Sequence, residues 1–217
     1  MNYYIYRILV VFIFTLLSGC RISTVEEEIV DFQLRNFNLT QLDNKGVELF
    51  RLKSSIANID NETKDVFAKD VIISLTGMNK LFNNISSDNC LVLKGSNMVL
   101  LSNNVKLTSL ENKQSFLKAD NLVWDINKSK VNLYGNISLN YLRTKLSSNN
   151  ANYNDSLDKI IFSGLTKYII YSKSNIVQPV IKLSSDKAII NYKSKQIEFV
   201  STNNQVESLV NLDLDEY

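Results

Sequence analysis

The sequence predicts an all-β fold built from repeated antiparallel hairpins, and three observations support this prediction. From Phe32 onward, apolar and polar residues alternate with the period of two that is typical of strands. The connections between these stretches are short and polar, which indicates that consecutive strands pair as antiparallel hairpins. In addition, a unit of about thirty residues recurs along the chain.

The composition argues against an enzyme, a cofactor or a metal site. The chain has 217 residues, enough for one domain with a proper core, and none is histidine. Because histidine is the commonest general base and metal ligand, histidine-dependent triads and histidine-bearing zinc sites are excluded. Cys90 lies in an apolar stretch and is expected to be a buried, unreactive thiol. The formal net charge is only +2 and both signs are scattered through the chain, so no nucleic-acid partner is expected.

The N-terminal segment is predicted to target and anchor the protein. Arg7 precedes an apolar run over 8–17, which suits the core of a signal peptide but is too short for a transmembrane helix. Leu17-Ser18-Gly19-Cys20 then resembles a bacterial lipobox, in which Cys20 is the acylated residue. We therefore expect a signal peptide over 1–19 and a lipidated tether over 20–31. An ordinary signal peptide or a short anchor with an incidental cysteine is the alternative.

Eleven stretches rich in Val, Ile, Leu, Phe and Tyr are predicted as strands. They cover 32–42, 47–59, 66–75, 89–94, 97–107, 115–126, 130–143, 145–154, 159–172, 179–192 and 196–206. Asparagine recurs in the turns between them, because its side chain caps local backbone groups and it tolerates a positive φ. The longest expected loop covers 76–86. The strands belong to one domain over 32–208, which an acidic tail follows over 209–217.

The repeat is marked by a β-branched residue near the start of a strand. These residues are Val66, Val99, Val131, Ile160 and Ile197, with spacings of 33, 32, 29 and 37 residues. An apolar or aromatic residue followed by a polar one precedes most of them, as in Trp124-Asp125. One hairpin cannot bury its apolar face alone, so the units must stack. Any β meander shows loose periodicity, but the shared turn length favours a true repeat.

The hairpins resemble those of the LptC family, within the OstA-like superfamily, over residues 32–206. The resemblance rests on the targeting segment and on sequences such as Ala151-Asn152-Tyr153-Asn154 and Val131-Asn132-Leu133-Tyr134-Gly135-Asn136-Ile137. It implies an OstA-like twisted open β-jelly roll. Proteins of this family typically keep an uncleaved transmembrane helix, whereas this chain has a lipobox-like sequence instead.

The resemblance also implies a function in lipopolysaccharide export. The protein is expected to be non-enzymatic, periplasmic and anchored by Cys20 to the inner membrane of a Gram-negative-type bacterium. An inner-membrane ABC transporter would deliver lipopolysaccharide at the N-terminal edge, and an LptA-like protein would receive it at the C-terminal edge strand. The alternatives are an LptA-like or other OstA-like periplasmic lipid-binding protein and a structural envelope lipoprotein with a closed β domain.

Alternate residues of such a roll would line an apolar groove for acyl chains. The side chains expected to face this groove are Ala57, Ile59, Leu122, Trp124, Val131, Leu133, Ala151, Tyr153, Ile160, Phe162, Ala188, Ile190, Tyr192, Ile197 and Phe199. The alanines leave room, and the aromatic residues supply a rigid wall. In a closed roll the same residues would pack against one another, and the sequence leaves both arrangements open.

Overall fold

The protein is a single antiparallel sheet in a computed structural model that describes residues 32–76, 82–108, 115–141, 144–154, 157–171, 179–194, 196–201 and 206–210. The strands are β1 (Phe32–Leu42), β2 (Glu48–Ile59), β3 (Val66–Leu75), β4 (Asn84–Leu93), β5 (Met98–Thr108), β6 (Phe116–Asp125), β7 (Lys130–Tyr141), β8 (Thr144–Asn154), β9 (Lys159–Tyr171), β10 (Pro179–Asn191), β11 (Gln196–Val200) and β12 (Glu207–Val210). From β1 to β11 their order in the sheet is their order in the sequence, and β12 pairs with β10 on the same side as β11. The predicted signal peptide, Cys20 and the tether lie outside the described residues. Within those residues no helix has the length and apolar character of a membrane span.

The turns use asparagine side chains, as the sequence predicts, and also aspartate side chains to satisfy backbone N–H groups. Asp43 accepts hydrogen bonds from the N–H groups two and four residues further on, each at 2.8 Å. Asn191 accepts them from the groups two and three residues on, at 3.1 and 3.0 Å. Hydrogen bonds from the N–H groups of Thr63 and Glu62 hold the pKa of Asp60 below its usual range. These bonds define the turns and so set the register of the strands that follow.

A buried small residue followed by a polar one recurs in the middle of every even-numbered strand from β2 to β10. These buried residues are Ser54, Ser87, Ala119, Ser148 and Ser185. Their spacings are 33, 32, 29 and 37 residues, identical to those of the predicted repeat. Each serine hydroxyl donates to the backbone carbonyl two residues further on, at 2.6 to 3.0 Å. The periodicity therefore reflects a structural repeat, one hairpin long, and not a chance pattern.

Three of the odd-numbered strands are bulged opposite the small residues of their neighbours. β5, β7 and β9 each contain an extra residue there, and two consecutive residues have a positive φ: Asn103-Asn104, Gly135-Asn136 and Gly164-Leu165. Bulges increase the local twist and bend the strand that carries them. Because the bulges lie at the same level in successive hairpins, the whole sheet bends along one line.

The bend divides the sheet into two half-sheets whose inner faces pack together. The first half-sheet comprises the strand segments on the side of the β1–β2 turn, such as 48–53, and the second those on the side of the β2–β3 turn, such as 56–59. The rings of Phe50, in the first, and Trp124, in the second, have centroids 5.1 Å apart. In a flat sheet β2 and β6 would be separated by four strand spacings, or roughly 19 Å. The sheet is therefore folded over an apolar core.

The prediction of a twisted open β-jelly roll is confirmed, since in the described part of the chain β1 pairs with neither β11 nor β12. Two strand predictions were wrong. β4 begins at Asn84 and not at residue 89, because its first half is too polar for the alternation to be visible. The last predicted strand ends at Val200 and not at residue 206, and a further strand, β12, follows at Glu207–Val210. β12 reaches Val210, two residues into the segment predicted as an acidic tail.

Candidate functional site

The side chains predicted to line a groove all lie along the inner face of the second half-sheet. The buried ones are Ala57, Leu122, Trp124, Val131, Leu133, Ala151, Tyr153, Ile160, Phe162 and Ala188. Ile59, Ile190, Tyr192 and Phe199 are half-buried and pack against this core, whereas Ile197 is 38% exposed. The alternation thus identified one continuous apolar surface. Its role as a lipid groove stays a prediction.

The opposite wall of the interior belongs to the first half-sheet and was missed. Its largest buried side chains are Phe50, Leu52, Ile73, Ile85, Leu117, Ile137 and Leu146. Tyr168 also belongs to this wall, and its ring centroid lies 5.3 Å from that of Phe199 in the second half-sheet. The signal was present, because alternation continues on both sides of each buried serine or alanine. Only the second half-sheet, however, carries the alanine-and-aromatic motif from which the groove residues are predicted.

The interior is closed in the middle of the sheet and accessible at its edges. At the β1 edge, Phe32 and Leu34 lie on the inner face and are 58% and 39% exposed. At the other edge, Ile197 of β11 is 38% exposed. Between the edges, Trp124 and Phe162 are 1% and 0% exposed. An apolar chain can therefore meet the interior at either edge, and can pass through its middle only if the two half-sheets separate.

Among the described residues, the buried polar atoms without a hydrogen-bond partner include the indole Nε1 of Trp124 and the hydroxyl of Thr166. Both side chains are fully buried. An unpaired buried donor is unfavourable by about 1–3 kcal/mol, so both groups can bond a polar atom of a molecule that enters. At the rim, the Tyr192 hydroxyl donates to Asp158 at 2.8 Å and lies 3.4 Å from the Tyr153 hydroxyl.

The described residues offer an apolar interior and one buried thiol. No group of three or more histidine, cysteine, aspartate or glutamate side chains among them is arranged to hold a metal ion. Cys90 is 4% exposed, and its burial raises the pKa of the thiol to about 12. The thiol therefore stays protonated and unreactive at neutral pH, as predicted. The arrangement can bind apolar chains by removing them from water.

Comparisons with known proteins identify the family. A comparison with curated proteins found no match. Among solved structures, the chain is similar to LptH from Pseudomonas aeruginosa, described as the LptA homologous periplasmic component of the conserved lipopolysaccharide transport device. That likeness has a TM-score of 0.46 and 10% sequence identity, and it covers 59% of this chain and 94% of LptH. The family model described as "Lipopolysaccharide-assembly, LptC-related" matches residues 7–167, so the chain belongs to this family of lipopolysaccharide-assembly proteins.

Proposed function

We propose that this protein is a non-enzymatic, periplasmic carrier of lipopolysaccharide in the Lpt export machinery. Its family supports a role in lipopolysaccharide assembly, and its apolar interior offers a place for acyl chains. In the proposed path, an inner-membrane ABC transporter delivers the lipid at β1, and an LptA-like bridge protein receives it at β11 and β12. The transporter supplies the energy.

The observation that carries this proposal is the exposure of inner-face apolar side chains at both edges of the roll. Phe32 and Leu34 are exposed at one edge and Ile197 at the other, although residues on the same face are buried in between. A carrier must admit lipid at one end and release it at the other. Each methylene that moves from water into the interior contributes about 0.8 kcal/mol, so even a short part of an acyl chain is held firmly and reversibly.

The edges also support the proposed partners. In the described residues β1 pairs only with β2, and β11 and β12 pair only with β10. Each edge therefore presents unpaired backbone groups to which a strand of another protein can be added. Strand addition would extend the inner face from one protein into the next, and the lipid would then move along a continuous apolar surface.

A photo-crosslinking amino acid placed at Leu34 or Ile197 tests the carrier function in cells that are exporting lipopolysaccharide. We expect lipopolysaccharide adducts at both positions. The matched control is Phe67, which is equally apolar and 54% exposed but lies on the outer face of β3. We expect no adduct there. Absence of adducts at both edges during active transport would overturn the proposal and favour a structural envelope lipoprotein.

The predicted anchor at Cys20 has its own test. Cells grown with an alkyne-bearing fatty acid should label the wild-type protein and the Cys90→Ser variant, but not the Cys20→Ser variant. An unlabelled wild-type protein would rule out acylation. Fractionation of the labelled protein then distinguishes the two lipid-binding functions, because residence in the inner membrane favours the LptC-like function over an LptA-like one.

A further inference from the structure

The outer face of the first half-sheet is strongly basic. Two neighbouring register rows cross this face from β2 to β10, and together they hold eighteen side chains that point away from the core. The first row contains Lys53, Lys106, Lys118 and Lys167, and the second contains Arg51, Lys145 and Lys182. The other positions are serine, threonine, asparagine or apolar, and none is acidic. We call these two rows the basic face.

Most of this positive charge has no carboxylate partner in the described part of the chain. Among the described residues of the basic face, only Arg51 forms an ion pair, with Glu48 at 2.7 Å. On the bend, Asp88 and Asp120 accept hydrogen bonds from asparagine side chains at 2.7 and 2.8 Å. The cations of the basic face therefore remain available to an external anion.

The centre of the basic face brings two lysines together. Lys106 and Lys118 lie directly opposite each other on β5 and β6. Their ammonium groups lie 5.1 and 5.3 Å from the ring centroid of Phe116. Like charges at opposed positions destabilise a sheet, so folding stability does not explain this pair. An anion bound between the two ammonium groups would remove their repulsion.

The outer face of the second half-sheet lacks this charge. Its two corresponding rows contain only Lys69 and Lys187 as cations from β2 to β10, together with an apolar stripe that includes Phe67 and Leu91. The formal net charge of the chain is +2, so the contrast reflects where the charges lie and not a generally basic protein. The second half-sheet therefore provides an internal control surface.

We propose that the basic face docks on the surface of a membrane that contains anionic lipids. The apolar run of the N-terminal segment ends at Leu17, and only fourteen residues separate it from Phe32. Fully extended, they span roughly 50 Å, so a chain anchored through that segment holds the domain close to a membrane. Across eight strand spacings the face extends roughly 38 Å, which fits a broad charged surface rather than one small anion. Ile72, which lies opposite Lys53 in the first row of the basic face and is 52% exposed, adds an apolar contact with the membrane.

Fluorescence quenching in vesicles tests this docking with the full acylated chain. A fluorophore is attached at Ser138→Cys, in the centre of the basic face, or at Ser102→Cys, on the outer face of the second half-sheet. The vesicles contain phosphatidylcholine with or without phosphatidylglycerol and a lipid with a spin label on its headgroup. We expect quenching at position 138 only with phosphatidylglycerol and at low salt, because salt screens the attraction. Position 102 should stay unquenched.

Charge variants give the decisive comparison. In Lys106→Ser/Lys118→Ser/Lys167→Ser, each new serine matches residues already present in the same row, so circular dichroism should be unchanged. The ratio of docked to undocked protein should fall about fivefold per lysine, or about a hundredfold in all. Lys69→Ser/Lys187→Ser should not change it. If the label at position 138 stays unquenched on vesicles that contain phosphatidylglycerol, the proposal is overturned. If, in that case, the same label is protected in native membranes, the basic face binds an acidic protein partner instead of lipid. The inference depends on the N-terminal anchor and not on lipid in the interior, which the crosslinking at Leu34 tests separately.

Discussion

Replacement of Gly135 by alanine tests whether the bend depends on a close approach between β6 and β7. Gly135 lies in the bulge of β7 with a φ of 75°. A Cβ atom there would collide with Oδ2 of Asp120 and lie 3.0 Å from its Cγ. The same carboxylate accepts a hydrogen bond from Nδ2 of Asn136 at 2.8 Å. Alanine therefore adds backbone strain, displaces Asp120 and breaks this hydrogen bond.

The magnitude follows from these contributions. A left-handed backbone conformation costs a residue other than glycine about 1–2 kcal/mol, and a lost hydrogen bond costs about 1 kcal/mol. We expect Gly135→Ala to lower the free energy of unfolding by about 2–3 kcal/mol. For a chain of this size that corresponds to a fall of about 4–12 °C in Tm. Thermal and urea denaturation followed by circular dichroism measure both quantities.

Two controls separate strain from collision. Gly46 has a φ of 80°, but a Cβ atom added to it would have no neighbouring atom within 4 Å, so Gly46→Ala should show the strain alone. In an Asp120→Ala background the carboxylate is absent and only the Cβ atom of residue 120 remains, 3.1 Å away, so Gly135→Ala should then cost less than it does in the otherwise unchanged protein. Equal losses for Gly135→Ala and Gly46→Ala in the otherwise unchanged protein would refute the reasoning.

Three further predictions concern the core. Trp124→Ala should lower the free energy of unfolding by about 3–5 kcal/mol in urea denaturation, because it empties the centre of the interior. The control Phe67→Ala, on the outer face, should change the free energy of unfolding by less than about 1 kcal/mol. Similar losses for the two variants would contradict a core between the two half-sheets. Burial raises the pKa of the Cys90 thiol to about 12, so as the pH rises the thiol ionises in the unfolded chain before it ionises in the folded protein. The stability that the buried thiol contributes is therefore complete below about pH 9 and is lost as the pH rises towards 12. Titrating stability against pH should show a steeper alkaline loss for the wild type than for Cys90→Ala. Ser148→Ala should lower the free energy of unfolding by about 1 kcal/mol, because it removes the hydrogen bond to the carbonyl two residues further on. The loss should be small because alanine already occupies the equivalent position 119 of the repeat. A loss above about 3 kcal/mol in urea denaturation would assign Ser148 a larger role.

The strands could be predicted where burial imposes a clear alternation. In β7, Val131 and Leu133 face the core while Asn132 faces outward, and this pattern is visible without any structure. The pattern failed in the first half of β4, where Ser87 is buried although it is polar. Its hydroxyl bonds to the carbonyl of Asn89 at 2.9 Å, so the cost of burying it is offset by a contact that sequence alone does not reveal.

Half of the candidate site could be predicted in the same way. Trp124 was identified because an aromatic residue before a turn aspartate recurs along the chain. Its partner Phe50, 5.1 Å away, was not, since the two residues lie on different hairpins and their contact depends on the fold of the sheet. The exposure of Phe32 and Leu34 likewise follows from the position of β1 at an edge, which is a property of the assembled sheet.

The amino-acid sequence by itself determined most of the strands, their hairpin order and the inner face of the second half-sheet, because these depend on a period of two and on local hydrogen bonds. Only the tertiary structure decided which residues meet across the interior and across the outer faces. The reason is the row of bulges, since one extra residue in β5, β7 and β9 shifts every register beyond it and bends the sheet. That shift places Lys106 opposite Lys118 and folds Phe50 onto Trp124.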